Sequence, residues 1–267
     1  MKGVKGYGFF IVLLVVIGIA YLCNNYIMDY DRDSYSVSQF KQDLQDKKIS
    51  ANVWYRKEGN KMVREENYDV VIVGCGVGGL YTALNLPSEG RILMICKEDI
   101  ESCDSMLAQG GICVLRDETD YDAYFEDTMR AGHYENRKES VDIMIRSSRD
   151  VINNLLKLGV GFDKNPDGSL KYTKEGAHSQ PRICFHEDIT GKEITTTLQT
   201  RVKELPNVEI REYTVMTDIL VENGICTGIL AKNAAGDILK LHAKDTVLAT
   251  GGIGGLYKHS TNFPSLT

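Results

Sequence analysis

The spacing of apolar residues changes several times along this chain, and each change marks a segment boundary. Between Gly6 and Met28 there is no charged residue, and Phe9–Cys23 is an almost unbroken apolar run. A helix needs about 20 apolar residues to cross a bilayer, so residues 7–27 are expected to form a single-pass transmembrane helix and residues 1–28 an N-terminal anchor. Residues 29–66 are polar and charge-rich. Within them Val37, Phe40 and Leu44 fall at helical spacing, and Ala51–Arg56 and Lys61–Arg64 flank Glu58-Gly59-Asn60 as the arms of a hairpin. This stretch reads as a linker.

From residue 67 to residue 267 the pattern is that of a folded domain. Asp69–Val73 is a short β-branched run that ends in Gly74-Cys75-Gly76-Val77-Gly78-Gly79. Leu80, Ala83 and Leu84 follow at helical spacing, and Arg91–Cys96 is a second apolar strand. Helices are expected near Tyr121–Ala131 and Lys138–Leu158, the latter with Val141, Ile145, Val151, Ile152, Leu155 and Leu156 on a broad apolar face, and from Thr190 to about Leu205. A strand is expected at Val208–Arg211. Thr214–Val221, Ile225–Lys232 and Ile238–His242 are separated by turn-forming residues, which predicts an antiparallel three-stranded meander, before a last strand at Asp245–Ala249. The fold class is therefore α/β: a Rossmann-like nucleotide-binding domain with an inserted antiparallel β-meander, preceded by one transmembrane helix.

Composition narrows this picture. With 43% hydrophobic and 25% charged residues, 267 residues can bury a sizeable core. A net charge of −6 without a basic stripe argues against a nucleic-acid partner. The seven cysteines form no C-x-x-C pair and read as reduced thiols, with no disulfide framework or metal site expected. Ala20-Tyr21-Leu22 is a poor signal-peptidase site, so the apolar segment is expected to be retained in the membrane. Lys2 and Lys5 before it and Asp29, Asp31 and Asp33 after it would hold the N-terminus inside. Unpaired cysteines and a nucleotide site fit a cytoplasmic domain better, so the side stays open at this point, with cytoplasmic the expectation.

The chemistry is concentrated in the glycine-rich turn. Gly74, Gly76 and Gly79 follow a strand, open a helix and precede a second strand, the context in which G-x-G-x-x-G binds a dinucleotide. The first glycine permits the turn, the second lets the backbone approach a diphosphate, and the third lets helix and strand pack closely. The position at which an NAD-binding unit expects an acid is Lys97, which weakens an NAD reading. Downstream, Asp104 to Ile112 offers hydroxyl, amide and glycine backbone suited to a flavin and its phosphates.

Five ordered motifs carry a resemblance. They are Gly74-x-Gly76-x-x-Gly79, Ala108-Gln109-Gly110-Gly111, Thr173-Lys174-Glu175-Gly176-Ala177-His178-Ser179, His186-x-Asp188-x-Thr190-Gly191 and Ala249-Thr250-Gly251-Gly252. In this order the chain, from about Tyr68 to Thr267, resembles the L-aspartate oxidases of the succinate dehydrogenase/fumarate reductase flavoprotein superfamily. The resemblance implies FAD as cofactor, oxidation of L-aspartate or a related dicarboxylate for NAD biosynthesis, and oxygen or fumarate as electron acceptor. It implies that Cys75, Gly76, Val77 and Gly78 cradle the diphosphate and that Lys97 lies at the cofactor. Asp104, Ser105, Gln109, Gly110 and Gly111 would line the flavin, with Val215 and Met216 near the adenine and Thr250 and Gly251 completing the site.

The same resemblance implies a non-covalent flavin, because Asp104 stands where succinate dehydrogenases carry the linking histidine. Glu175 would face the substrate's amino group. His178 and His186 would orient substrate or flavin, or serve as structural histidines, and Asp188 and Thr190 would cap the following helix. The family pattern continues into a capping domain bearing the catalytic arginine, for which these 267 residues hold no counterpart, so the chain is read as a truncated or split oxidase whose remaining part is lost or is supplied by a second chain. Two alternatives stay open: a membrane-tethered fumarate reductase-like flavoprotein, and a non-catalytic FAD-binding remnant.

Overall fold

The computed structural model describes residues 63–263. The expected transmembrane helix at 7–27 and most of the expected hairpin lie outside the described residues. Among those described, no helix is long and apolar enough to cross a membrane.

Strand β1 (Val63–Val73) leads through the glycine turn into helix α1 (Val77–Leu84) and strand β2 (Ile92–Ile95). Helices α2 (Tyr121–Ala131) and α3 (Lys138–Leu158) follow, then α4 (Thr190–Lys203), β6 (Val208–Arg211), β7 (Val215–Glu222), β8 (Ile225–Lys232) and β9 (Ile238–Leu248). Between β2 and α4 three two-residue strands, β3 (Ile112–Cys113), β4 (Tyr172–Thr173) and β5 (Ile183–Cys184), form a small antiparallel sheet of order β3-β5-β4. The main sheet has six strands in the order β6-β2-β1-β9-β8-β7. Its first four are mutually parallel and its last two pairings are antiparallel, so the sheet is mixed.

The meander's strands pair as expected, but they do not form a separate unit. Ile238–His242 and Asp245–Ala249, read as two strands, are one continuous strand as far as Leu248. Its first half pairs antiparallel with β8, while its whole length runs parallel to β1 from Val63↔Ile238 to Val73↔Leu248. Lys244 and Asp245, at the junction of the two expected strands, have exposed side chains, and extended backbone passes through them undisturbed. That long ladder also draws Val63–Glu66, in the stretch read as linker, into β1.

Burial explains why the strands lack simple alternation. Val70, Ile72, Ile92 and Met94 point into a core shared with Leu80 and Ala83 of α1, Ile152 and Leu155 of α3, and Ile194, Leu198 and Val202 of α4. Val71, Val73, Leu93 and Ile95 point the other way, to a second cluster with Ile229, Ala231, Leu239 and Leu241. Each fully buried aliphatic side chain contributes roughly 1.5–3 kcal/mol relative to exposure. A third cluster joins α2 to α3 through Tyr124, Met129, Val141 and Ile145.

The end of β1 is the tightest point in this packing. A Cβ on Gly79 would lie 2.0 Å from the carbonyl oxygen of Gly74, and one on Gly74, whose φ is +111°, would lie 2.2 Å from that of Ala249. Gly79→Ala is expected to destabilise the fold by about 1–3 kcal/mol or more, through separation of α1 from β1. Chemical denaturation with and without FAD checks this, since the loss should persist when no cofactor is present.

Candidate functional site

Three C-terminal strand ends converge beside the glycine turn. Gly74 donates its backbone N–H to Ile95 O at 2.9 Å, and Ala249 donates to Val73 O at 2.8 Å. The N-cap of α1 is Gly76 in extended conformation, which has no side chain of its own to cap the helix, and no acidic residue lies in its first turn. A positive helix end that carries no carboxylate attracts an anion. Opposite it, the Ser105 hydroxyl accepts from Val77 N at 3.1 Å, tying the turn to the loop that follows β2.

These elements enclose a cleft of about 560 Å³. Of the residues expected at the cofactor, Gly74, Cys75, Gly76, Val77, Gly78, Lys97, Asp104, Ser105, Val215, Met216, Thr250 and Gly251 all line it. Gly79 does not; it packs against β1. Gln109 and Gly110 are exposed and outside the cleft lining, and Gly111 lines a second cleft of about 480 Å³ on the far side of the same loop. Cys96, Ser102, Cys103 and Thr214 also line the first cleft, and none of them was read from sequence. Thr214 is buried and donates its N–H to Cys96 O at 2.8 Å, which fixes the start of β7 at the cleft. The six cysteines within the described residues are free.

The cleft fits an FAD diphosphate by its own geometry. Gly76 presents bare backbone, and a Cβ there would stand 3.1 Å from the Ser105 hydroxyl, inside the space the turn leaves open. The Asp104 carboxylate accepts from Phe263 N at 2.9 Å and from the Asn262 side-chain amide. It therefore fastens the 254–263 segment to the loop.

A second group of side chains lies under the loop. Arg182 is fully buried and makes a bidentate pair with Asp120, Nε to Oδ2 at 3.0 Å and NH2 to Oδ1 at 2.7 Å, while NH1 meets Asp127 Oδ2 at 2.7 Å. Ser179 donates to the same Asp127 oxygen through its N–H at 2.6 Å and its hydroxyl at 2.7 Å. Burial pushes the Asp127 carboxyl up, but Ser179 and Arg182 outweigh it and hold the acid well below the usual carboxylate range. Removing one partner of such a buried pair typically costs about 3–5 kcal/mol. Nothing in the sequence pairs Arg182 with acids more than 50 positions earlier; the nearest signal is an arginine directly before the apolar Ile183-Cys184.

The three expected substrate-side residues separate. Glu175 is exposed, with Oε2 3.0 Å from where a Gly110 Cβ would sit, so its carboxylate lies against the loop expected at the flavin. His178 stands between Arg182 and Cys113 and lines the second cleft. His186 lines neither cleft. Its Nδ1 meets Gly161 O and lies 3.9 Å from Asp163. The expected helix cap is also different: α4 has no side-chain cap. The Thr190 hydroxyl instead accepts from His186 N at 2.9 Å, and Gly191 N donates to Ala108 O at 2.9 Å, seating the loop on the helix.

A mixed sheet whose parallel strands carry a glycine turn at their C-terminal ends, with a cleft running to the start of its antiparallel strands, defines a dinucleotide-binding domain of the flavoprotein type. Residues 69–267 match the family described as FAD binding domain. The chain belongs to that family, and its cofactor is FAD. It is 47% identical over 194 residues to the L-aspartate oxidase of Clostridium perfringens, which covers 73% of this chain and 44% of that protein. It is 47% identical over 200 residues to that of Clostridium acetobutylicum, covering 74% and 46%. The chain thus spans about half the length of these relatives. Among solved structures, a quinol fumarate reductase of E. coli superposes with a TM-score of 0.71 at 26% identity, over 73% of this chain and 34% of that one.

Gly76→Ala is expected to leave the fold intact, because its backbone is extended and the Ser105 hydroxyl can turn away, but to weaken FAD binding by about tenfold or more. Fluorescence quenching of FAD on titration checks this. Wild-type affinity in the variant would remove Gly76 from the diphosphate site.

Proposed function

We propose that the chain serves FAD-dependent oxidation of L-aspartate to iminoaspartate, a step of NAD biosynthesis. The observation that carries this reading is the Glu175 carboxylate against Gly110 of the flavin loop. The two relatives named L-aspartate oxidase support it. Bound FAD would supply a hydride acceptor for the substrate carbon, with oxygen or fumarate as the final electron acceptor. Glu175 accepts hydrogen bonds from the substrate ammonium, holding the amino acid at the loop. A negative group there also opposes a plain dicarboxylate, the more strongly where water is excluded.

The substrate carboxylates need positive partners. Arg182 is spent on Asp120 and Asp127, and Arg130 lies 2.7 Å from Asp127. We propose that the carboxylate-binding groups lie on a capping domain outside residues 63–263. The apolar segment 7–27 is proposed to tether the protein to the membrane with the flavin domain on the cytoplasmic side. A fumarate reductase-like activity is the second reading, favoured by the structural likeness to the quinol fumarate reductase.

Glu175→Gln tests the main reading. Losing a charge-assisted hydrogen bond, worth about 1.5–3 kcal/mol, should lower kcat/KM for L-aspartate at least about tenfold, with FAD affinity unchanged. The assay is aspartate-dependent peroxide formation by the FAD-loaded protein with its capping domain present. Equal aspartate turnover by the variant, or reduction of fumarate in preference to oxidation of aspartate by the wild type, would overturn it.

A further inference from the structure

The hydrogens of Arg182 can be assigned one by one. A guanidinium only donates. Nε and NH2 each give a hydrogen to Asp120. NH1 has two hydrogens: one goes to Asp127 Oδ2 at 2.7 Å, and the other faces His178 Nδ1 at 3.0 Å. Nδ1 must therefore accept, which leaves the ring proton on Nε2. That nitrogen lies 3.1 Å from Cys113 Sγ. We infer that Arg182 is a positioning residue that pins His178 as a neutral Nε2–H donor directed at the Cys113 thiol.

The surroundings oppose a second proton on the ring. His178 meets Arg182 just before β5, Tyr124 edge-on from α2 at 5.7 Å between ring centroids, and Cys113 of β3. Asp120 and Asp127 lie behind the guanidinium, and each has a further arginine: Arg116 at 3.7 Å from Asp120 and Arg130 at 2.7 Å from Asp127. Glu175, three residues earlier on the same loop, accepts the His178 N–H through its carbonyl at 3.2 Å. Two acids thus face three guanidinium groups, and Glu175 brings the count to balance. Burial, and then the charge of Arg182, hold His178 below its ordinary value of 6.5, against the pull of Asp127, Asp120 and Glu175.

This inference deepens the proposed reaction and, in its consequence, rests on it. A neutral ring with its acceptor nitrogen occupied by Arg182 cannot serve as the base that takes a substrate proton. It also places no imidazolium beside Glu175 to compete with a substrate ammonium. The ring's contribution is to brace β3, and hence the Gly111 end of the flavin loop, against β5.

Histidine-selective 15N NMR on the FAD-loaded full chain tests this without turnover, the His178 signals being identified by their loss in His178→Gln. The expected result at pH 7.5 is a protonated Nε2 and an unprotonated Nδ1, with titration below 6.5. Arg182→Lys keeps one positive charge but cannot bridge Asp120, Asp127 and the ring together, and should turn the single tautomer into a mixture. An Nδ1–H tautomer, an imidazolium at pH 7.5, or a single Nε2–H tautomer in the lysine variant would overturn the inference. Should that variant not fold, the wild-type titration decides alone, and a midpoint at or above 6.5 overturns it. None of these readings depends on aspartate being the substrate, so failure of the proposed reaction is seen separately.

Discussion

Everything at the cofactor cleft depends on how closely β1 and β9 approach at their C-terminal ends. The backbone of Gly74 passes so near Ala249 O that a side-chain carbon would overlap it, and Gly79 sits as tightly on Gly74 O. This packing has two consequences. It sets the N-terminus of α1 over the sheet edge, where Gly76, Val77 and Gly78 line the cleft. It also brings Thr250 and Gly251, about 175 residues further along the chain, beside the glycine turn in the same cleft. A diphosphate site needs several backbone donors held rigidly without side chains between them, and only glycine allows that density of main chain.

The loop 104–111 is the second dependent element, and it is held from four sides. Ser105 meets the glycine turn, Gly191 of α4 meets Ala108, Asp104 receives the Phe263 N–H and the Asn262 side-chain amide, and β3 continues the loop into the small sheet. Each tie alone is an ordinary hydrogen bond worth about 0.5–1.5 kcal/mol. Together they leave the loop little freedom, so that a flavin would bind to a preformed wall with less ordering cost on binding.

Much of this was legible in the sequence because it is local. The glycine spacing, the apolar faces of α1 and α3 and the turns between β7, β8 and β9 all express themselves within a few residues. The fusion of Ile238–His242 with Asp245–Ala249 was not legible. Its cause is the parallel ladder to β1, a partner more than 170 residues away that also draws Val63–Glu66 into β1. The two-residue strands β3, β4 and β5 carry no periodicity at all. Arg182 shows the same limit more sharply: its burial is tolerable only because Asp120 and Asp127 arrive from other elements. A motif could point to Glu175 and His178 as neighbours in a site, but not to the different nitrogen and oxygen partners that set their charges.

Those charges argue for a division of labour under the loop. The buried cluster of Arg182 with Asp120 and Asp127 is costly to desolvate and adds little stability compared with an apolar core of equal size. What it supplies is geometry: a planar donor with fixed directions that orders Ser179, the imidazole of His178 and, through it, Cys113 of β3. Glu175 is the contrasting case: it is exposed, and its carboxylate lies against Gly110 of the loop. A ring held neutral by Arg182 beside an exposed carboxylate is the arrangement that the proposed recognition of an ammonium group calls for.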